Sequence, residues 1–344
     1  SYTGKSIGPM MIGKYPSETL RDGMHFNTYF ASNVFLAERL KEQGYRTVGA
    51  SSLWFFAPWS GLSQGFDVWD LSAKPPGGGD KDNYVTSDKV TDAAIKVLTD
   101  EKNTGGPFFA WFHYFDPHAE YLPHAGAPNF RDGDRPQQLE RAKYDGEVWF
   151  TDREIGRLFD FVETQAWSKK TAIVVTSDHG EAFGDHGISW HGRELWESLI
   201  RVPLIISVPG VPPHRVPNKR SHIDLVPTLL ELTKTSYAPA DMSGQSLSQD
   251  ILGTKDFAER DVYIDMPAGQ YNSMRRALLT GPGAGLKLLH FGGNQYQLFD
   301  LAEDSDELKD LAKDTDKTTP VIEAMQRLRS RLKEIDVKPA PAPE

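Results

Sequence analysis

A chain of 344 residues, 39% of them hydrophobic, can bury a large core and has room for one big domain and a smaller one. Its formal net charge of -10 with no basic block argues against nucleic acid as a partner, so an anionic substrate must be met by a local positive site. The absence of cysteine excludes disulfides, thiolate metal sites and a cysteine nucleophile, and no long apolar run offers a membrane span.

The chain opens on "SYTGKSIGPMMIGKYP" with no leader-like segment ahead of it. "NVFLAERLKEQGYRTVGAS", residues 33–51, predicts an amphipathic helix closed at Gly44 and a short strand after it. "SSLWFFAPWSGLSQGFDVWD" then places Trp54, Phe55, Phe56 and Trp59 in a loop, where they either wall a site or cap the core. "SDKVTDAAIKVLTD" predicts a helix with Ser87 as its N-cap. "PFFAWFHYF", residues 107–115, is an aromatic run too short for most helices and reads as a buried strand. A helix over "YDGEVWFTDREIGRLFDFVETQ", buried strands over "TAIVVTSD" and "VPLIISVPG", and a helix over "SHIDLVPTLLEL" with Pro227 near its first turn follow. Apolar strands without polar alternation, separated by helical periods, indicate an α/β fold: a mostly parallel sheet sandwiched by helices.

Past about residue 250 the texture changes. "DVYIDM", "RRALLTG", "LKLLHF" and "YQLFDL" are short strand-like pieces between Gly-rich turns, and "TPVIEAMQRLRSRLKEI" predicts a last helix. The expected organisation is an α/β domain over residues 1–250 and a small antiparallel C-terminal subdomain over 251–344, ending in a disordered Pro-rich tail, "VKPAPAPE".

Six of the ten histidines lie between His113 and His191. In a parallel α/β sheet, ligands collect outside the carboxyl ends of the strands, where "TAIVVTSDHG" puts Ser177, Asp178 and His179. Neighbours in extended backbone point to opposite sides, but at a strand end turning into Gly180 both Asp178 and His179 can reach one ion, and an O and N pair suits a divalent metal. His186 and His191 follow on a Gly-punctuated loop. A second group, "HYFDPHAEYLPH", sets His113 near the end of the aromatic strand and Asp116, Pro117 and His118 in the turn after it. His25, His124, His214, His222 and His290 are read as structural or surface residues.

"VVTSDHGEAFGDHGISWHGRELWESLIRVPLIISVPG" resembles the signature of the sulfatase family within the alkaline phosphatase superfamily. "FHYFDPHAEY", "YDGEVWFTDREIGRLFDF", "HIDLVPTLLEL" and "YQLFDLAEDSDELKDLA" follow that family's order, so the resemblance covers nearly the whole chain. It implies metal-assisted cleavage of sulfate or phosphate esters by a large α/β domain with a C-terminal subdomain. Asp178 and His179 resemble the family's second pair of metal ligands. His191 falls where a Lys or His contacts the transferred group or leaving oxygen, and His118 resembles the histidine of the "PH" motif that touches the same group. Lys5, His113 and His186 are the expected further substrate contacts.

The N-terminus departs from the pattern. Aligned on the turn Gly13, Lys14, Tyr15, Pro16, the nucleophile position holds Thr3, with Ser6 expected at a helix start. Threonine cannot give the formylglycine aldehyde of sulfatases proper, and Ile7 occupies the place of the usual Arg, leaving Lys5 as the nearest cation. A Thr alkoxide still makes chemical sense, because a metal lowers the pKa of a bound hydroxyl. The substitution resembles phosphoethanolamine transferases and related phosphodiesterases. The family's first acidic metal ligands precede the nucleophile, so the chain is expected to be a fragment of a longer one.

These residues predict a hydrolase in which Thr3, with Asp178 and His179 on a calcium, zinc or manganese ion, attacks a sulfated or phosphorylated small molecule, glycan or lipid headgroup. His118 and His191 stabilise the charge and the leaving oxygen. The alternatives are a phosphoethanolamine-type transferase and an inactive homologue that binds anionic ligands. A periplasmic or extracellular location follows from the resemblance alone, and a structural periplasmic domain attached to an upstream membrane anchor is a third alternative.

Overall fold

Residues 2–75, 84–253, 257–313 and 319–334 are described by the structure, a computed structural model of the chain. The Pro-rich tail lies outside the described residues. The chain folds into two units, each gathered from separate stretches: Ser1–Asn33, Ala172–Ala182 and His191–Glu344 in one, Val34–Thr171 and Phe183–Trp190 in the other.

In the second of these, the strand Arg46–Ser51 pairs in parallel with Val68–Asp70 on one side and Phe108–His113 on the other, in register from Arg46↔Phe108 to Ser51↔His113. Parallel neighbours need crossover connections, and the helix Ser87–Thr99 supplies one of them. Val48 and Ala50 are fully buried. Gly49 between them carries no side chain because the Trp69 ring lies over it; a Cβ there would stand 2.4 Å from that ring. Phe55 and Phe56 are fully buried, whereas Trp54 stacks on Trp59, which is 45% exposed. Two of the four loop aromatics therefore cap the core.

The helix Ser87–Thr99 starts with Thr86, not Ser87, at the N-cap. The buried carboxylate of Asp116 explains the offset: it accepts from the backbone N–H groups and hydroxyls of both Thr86 and Ser87, so the cap comes from a distant residue. The longest helix, Pro136–Glu163, buries Glu147, whose carboxylate accepts from the N–H groups of His118 and Leu122 at 3.2 and 2.6 Å.

In the other unit, Ile173–Thr176 and Leu204–Ser207 pair antiparallel, from Ile173↔Ser207 to Thr176↔Leu204. The expected burial does not hold: Ile173–Thr176 and Phe108–His113 are half-buried, and Leu204–Ser207 alternates half-buried and exposed residues, with Ile205 60% exposed, since each strand of a two-stranded pair is an edge. An apolar run does not encode direction either, so the sequence could not orient this pair. Val262–Met266, Arg275–Thr280, Leu286–Gly292 and Gln295–Asp300 form an antiparallel meander. Tyr263, Leu278, Leu288 and Leu298 make its core with Leu328 and Leu332 of the helix Thr319–Glu334. The α/β class with a parallel sheet and a β-rich C-terminal part thus matches the sequence expectation.

The N-terminal helix runs Thr3–Ile12, one turn earlier than the Ser6 start expected from sequence. Tyr2 is extended, and its carbonyl accepts from Lys5 N–H at 2.9 Å, closing the first turn at once. Gly4 and Gly8 lie one turn apart and leave a trough for Tyr29, whose hydroxyl donates to Gly4 O at 2.7 Å. A Cβ at Gly8 would stand 2.1 Å from the Tyr29 ring. Gly13 ends the helix in left-handed backbone, φ 80°, with its N–H on Pro9 O. Among the described residues no helix is long and apolar enough to cross a membrane.

Candidate active site

The helix start at Thr3 and the loop after the strand Ile173–Thr176 meet. Thr3 Oγ1 lies 3.4 Å from His179 Nε2. The loop is fixed on both sides of that histidine: Ser177 Oγ donates to His179 O at 2.6 Å, and Gly180 N–H donates to Leu199 O at 2.9 Å. A Cβ at Gly180 would stand 2.1 Å from Ser198 O, so the backbone contact requires glycine directly after the histidine.

His179 Nδ1 lies 2.8 Å from Gly180 O. With the proton assigned to Nδ1 as donor to that carbonyl, Nε2 keeps a lone pair. Asp178 Oδ2 is 3.6 Å from this same Nε2. Burial pushes the imidazole down to about 4; the Asp178 carboxylate opposes the drop and the neighbouring His191 adds to it. His179 is thereby a neutral ring with a free lone pair at neutral pH.

His191 stacks on His179, ring centroids 4.1 Å apart. Its Nδ1 lies 3.2 Å from both carboxylate oxygens of Glu181, whose side chain is 5% exposed. Glu181 thus holds the His191 ring at Nδ1. Sequence reasoning passed over Glu181, although it stands in the same "DHGE" run; what it partners depends on the loop bringing residue 191 back. His222, read from sequence as structural, packs behind the strand: its Nε2 is 3.0 Å from Thr176 Oγ1. Burial lowers its pKa, and Asp178 works against that shift.

Lys5 belongs to this unit but not to this group. Residues two apart on a helix do not share a face, and Lys5 Nζ donates instead to Pro267 O at 2.7 Å and Asn272 Oδ1 at 2.8 Å. The other expected residues lie in the second unit. His113 ends the strand Phe108–His113, its ring 4.4 Å from that of Phe56. His118 stacks on Phe115 at 4.4 Å, with Nδ1 2.9 Å from Ala119 O. His186 is exposed in the turn Asp185–Gly187 with φ 51°.

Within one unit, then, Thr3, Asp178, His179 and His191 come together with Glu181. Among the described residues no group of three or more His, Cys, Asp and Glu gathers as a metal site. Asp178, His179 and Thr3 nevertheless offer a carboxylate, an imidazole lone pair and a hydroxyl to one locality, a donor set that fits part of a divalent-ion shell.

The family model described as Sulfatase matches residues 2–235, more than half of the chain. The chain belongs to the sulfatase family. A second sulfatase model, N-sulphoglucosamine sulphohydrolase, C-terminal, matches residues 184–338. An ulvan-active sulfatase of Formosa agariphila is 25% identical over 302 residues, 74% of this chain and 57% of that protein. Arylsulfatase K of Mus musculus is 28% identical over 199 residues, 55% of this chain and 35% of its own length. The matched region thus spans about half or less of these sulfatases. Among solved structures, one of a protein in complex with its substrate D-glucosamine-2-N,6-O-disulfate shares a TM-score of 0.74 at 19% identity, covering 98% of this chain and 89% of that one. A phosphonate monoester hydrolase from Silicibacter pomeroyi shares 0.70 at 21% identity, covering 98% and 87%. At such identities these likenesses show that the fold is shared.

Proposed function

We propose that the chain carries the catalytic part of a sulfatase-like hydrolase of sulfate or phosphate esters, with Thr3 as its nucleophile. The observation that carries this reading is the contact of the Thr3 hydroxyl with His179 Nε2, 3.4 Å away, at a helix N-terminus where developing negative charge is favoured. Asp178, His179 and Thr3 would hold a divalent ion, which lowers the pKa of a bound hydroxyl and offsets charge on the ester oxygens.

In the proposed reaction Thr3 Oγ1 loses its hydroxyl proton to water and bonds to the sulfur or phosphorus as the ester oxygen departs, leaving a Thr ester that water hydrolyses. His191 gives the departing oxygen its proton, and Glu181 holds the imidazole at Nδ1. The charge-stabilising role of His118 and the substrate contacts of His113 and His186 rest on the motifs that carry them. The relative named for ulvan and the neighbour solved with a glucosamine disulfate favour a sulfated glycan as substrate. The phosphonate monoester hydrolase neighbour keeps phosphorus esters as the second reading.

Hydrolysis of matched aryl sulfate, phosphate monoester and phosphodiester substrates, with added divalent metals, tests the reading. Thr3→Ala should abolish turnover of the ester that is cleaved, and His191→Ala should lower it by about 10²-fold or more with an unchanged melting curve. Turnover that survives Thr3→Ala would remove the nucleophile assignment.

A further inference from the structure

The far side of the N-terminal helix holds a feature that the proposed chemistry does not use. A cavity of about 190 Å³ opens there between the segment around Arg21 and Asn27 and the loop at Ala268 and Gly269. Two cations line it. Lys5 is only 4% exposed, with Nζ on the carbonyl of Pro267 and on Asn272 Oδ1. Gly269 makes room for this ammonium: a Cβ there would stand 2.6 Å from Nζ. Arg21 anchors Nη1 on Pro16 O and Thr19 Oγ1, leaving Nε and Nη2 without a hydrogen-bond partner among the described residues.

Neither cation forms an ion pair among the described residues. They instead work against each other: burial and then Arg21 push the Lys5 ammonium down to about 8, with Asp265 acting in the opposite sense. The one carboxylate in the lining, Asp22, already accepts from Met24 N–H and Thr28 N–H through Oδ1. A buried cation costs free energy unless it is paired, so buried Lys5 and half-buried Arg21, facing one cavity with the single carboxylate of Asp22 in its lining, leave a net positive charge there. The volume holds a sulfate, phosphate or carboxylate group, each being a few water-sized units.

We propose that this cavity, with Lys5 Nζ and the free edge of the Arg21 guanidinium, binds an oxyanion: a sulfate, phosphate or carboxylate group.

The probe is inorganic sulfate, titrated calorimetrically into the whole chain in a Thr3→Ala background, so that turnover plays no part. Arg21→Gln should weaken sulfate binding about tenfold or more, since a charge-assisted hydrogen bond is lost, and Arg21→Lys should restore part of it. Equal affinity in the Thr3→Ala and Thr3→Ala/Arg21→Gln proteins, with the same melting temperature, overturns the site.

Discussion

Two buried lysines in the same unit are satisfied in opposite ways. Lys287, fully buried, lies 2.9 Å from Glu197 Oε1 and 2.7 Å from Glu307 Oε1, and Glu307 also accepts from Glu197 N–H. Lys5, nearly as buried, has two neutral oxygens and the face of the Tyr2 ring, 5.5 Å away, at Nζ, and a guanidinium lining the same cavity. The first arrangement is closed: its charges are spent on each other and tie the strand Leu286–Gly292 to the segments carrying Glu197 and Glu307. The second is open, with positive charge left over for something from outside. Burial alone does not separate a structural lysine from a binding one; the charge of its neighbours does.

Removing the closed lysine should have the largest effect on stability. Lys287→Met would strand two carboxylates in the interior and should cost about 3–5 kcal/mol, read from urea unfolding. Glu307→Gln should be milder because Glu197 still partners Lys287. The open lysine should behave differently. Lys5→Met loses two hydrogen bonds but relieves repulsion with Arg21, so its cost should be about 1 kcal/mol, while Arg21-dependent sulfate binding drops with it. A loss on Lys5→Met as large as that on Lys287→Met would erase the contrast.

The smallest expected effect concerns pH. His222 is buried beside Thr176 and its pKa lies below the ordinary value near 6.5, lowered by burial with Asp178 opposing. In the window below about 6.5 the unfolded chain binds a proton at this position that the folded one resists, so stability should rise with pH there and fall on acidification. His222→Gln should flatten that part of the stability profile; an unchanged slope would assign it to other groups.

The strand-end site was legible because it is local. An apolar run ending in Asp178, His179 and Gly180 announces a strand, though not its half-buried setting, and the turn that follows, and the resemblance supplied Thr3 by register on Gly13 and Pro16. Glu181 was not legible as the partner of His191, since ten residues of loop separate them and nothing in their order fixes its return. The start of the N-terminal helix was misjudged by one turn, because the contact closing it uses the extended Tyr2, which carries no capping signature.

By itself the sequence determined the α/β class and the β-rich C-terminal part, and it marked the groups proposed for ester chemistry. These follow from periodicity and residue type, which act over a few neighbours. Only the tertiary structure decided that Ile173–Thr176 and Leu204–Ser207 run antiparallel, that Asp116 caps a helix thirty residues upstream, and that Lys5 and Arg21 share one cavity. Strand direction, distant caps and cavities depend on which segments are brought together in space. The free energy that selects those partners is summed over the whole packed chain.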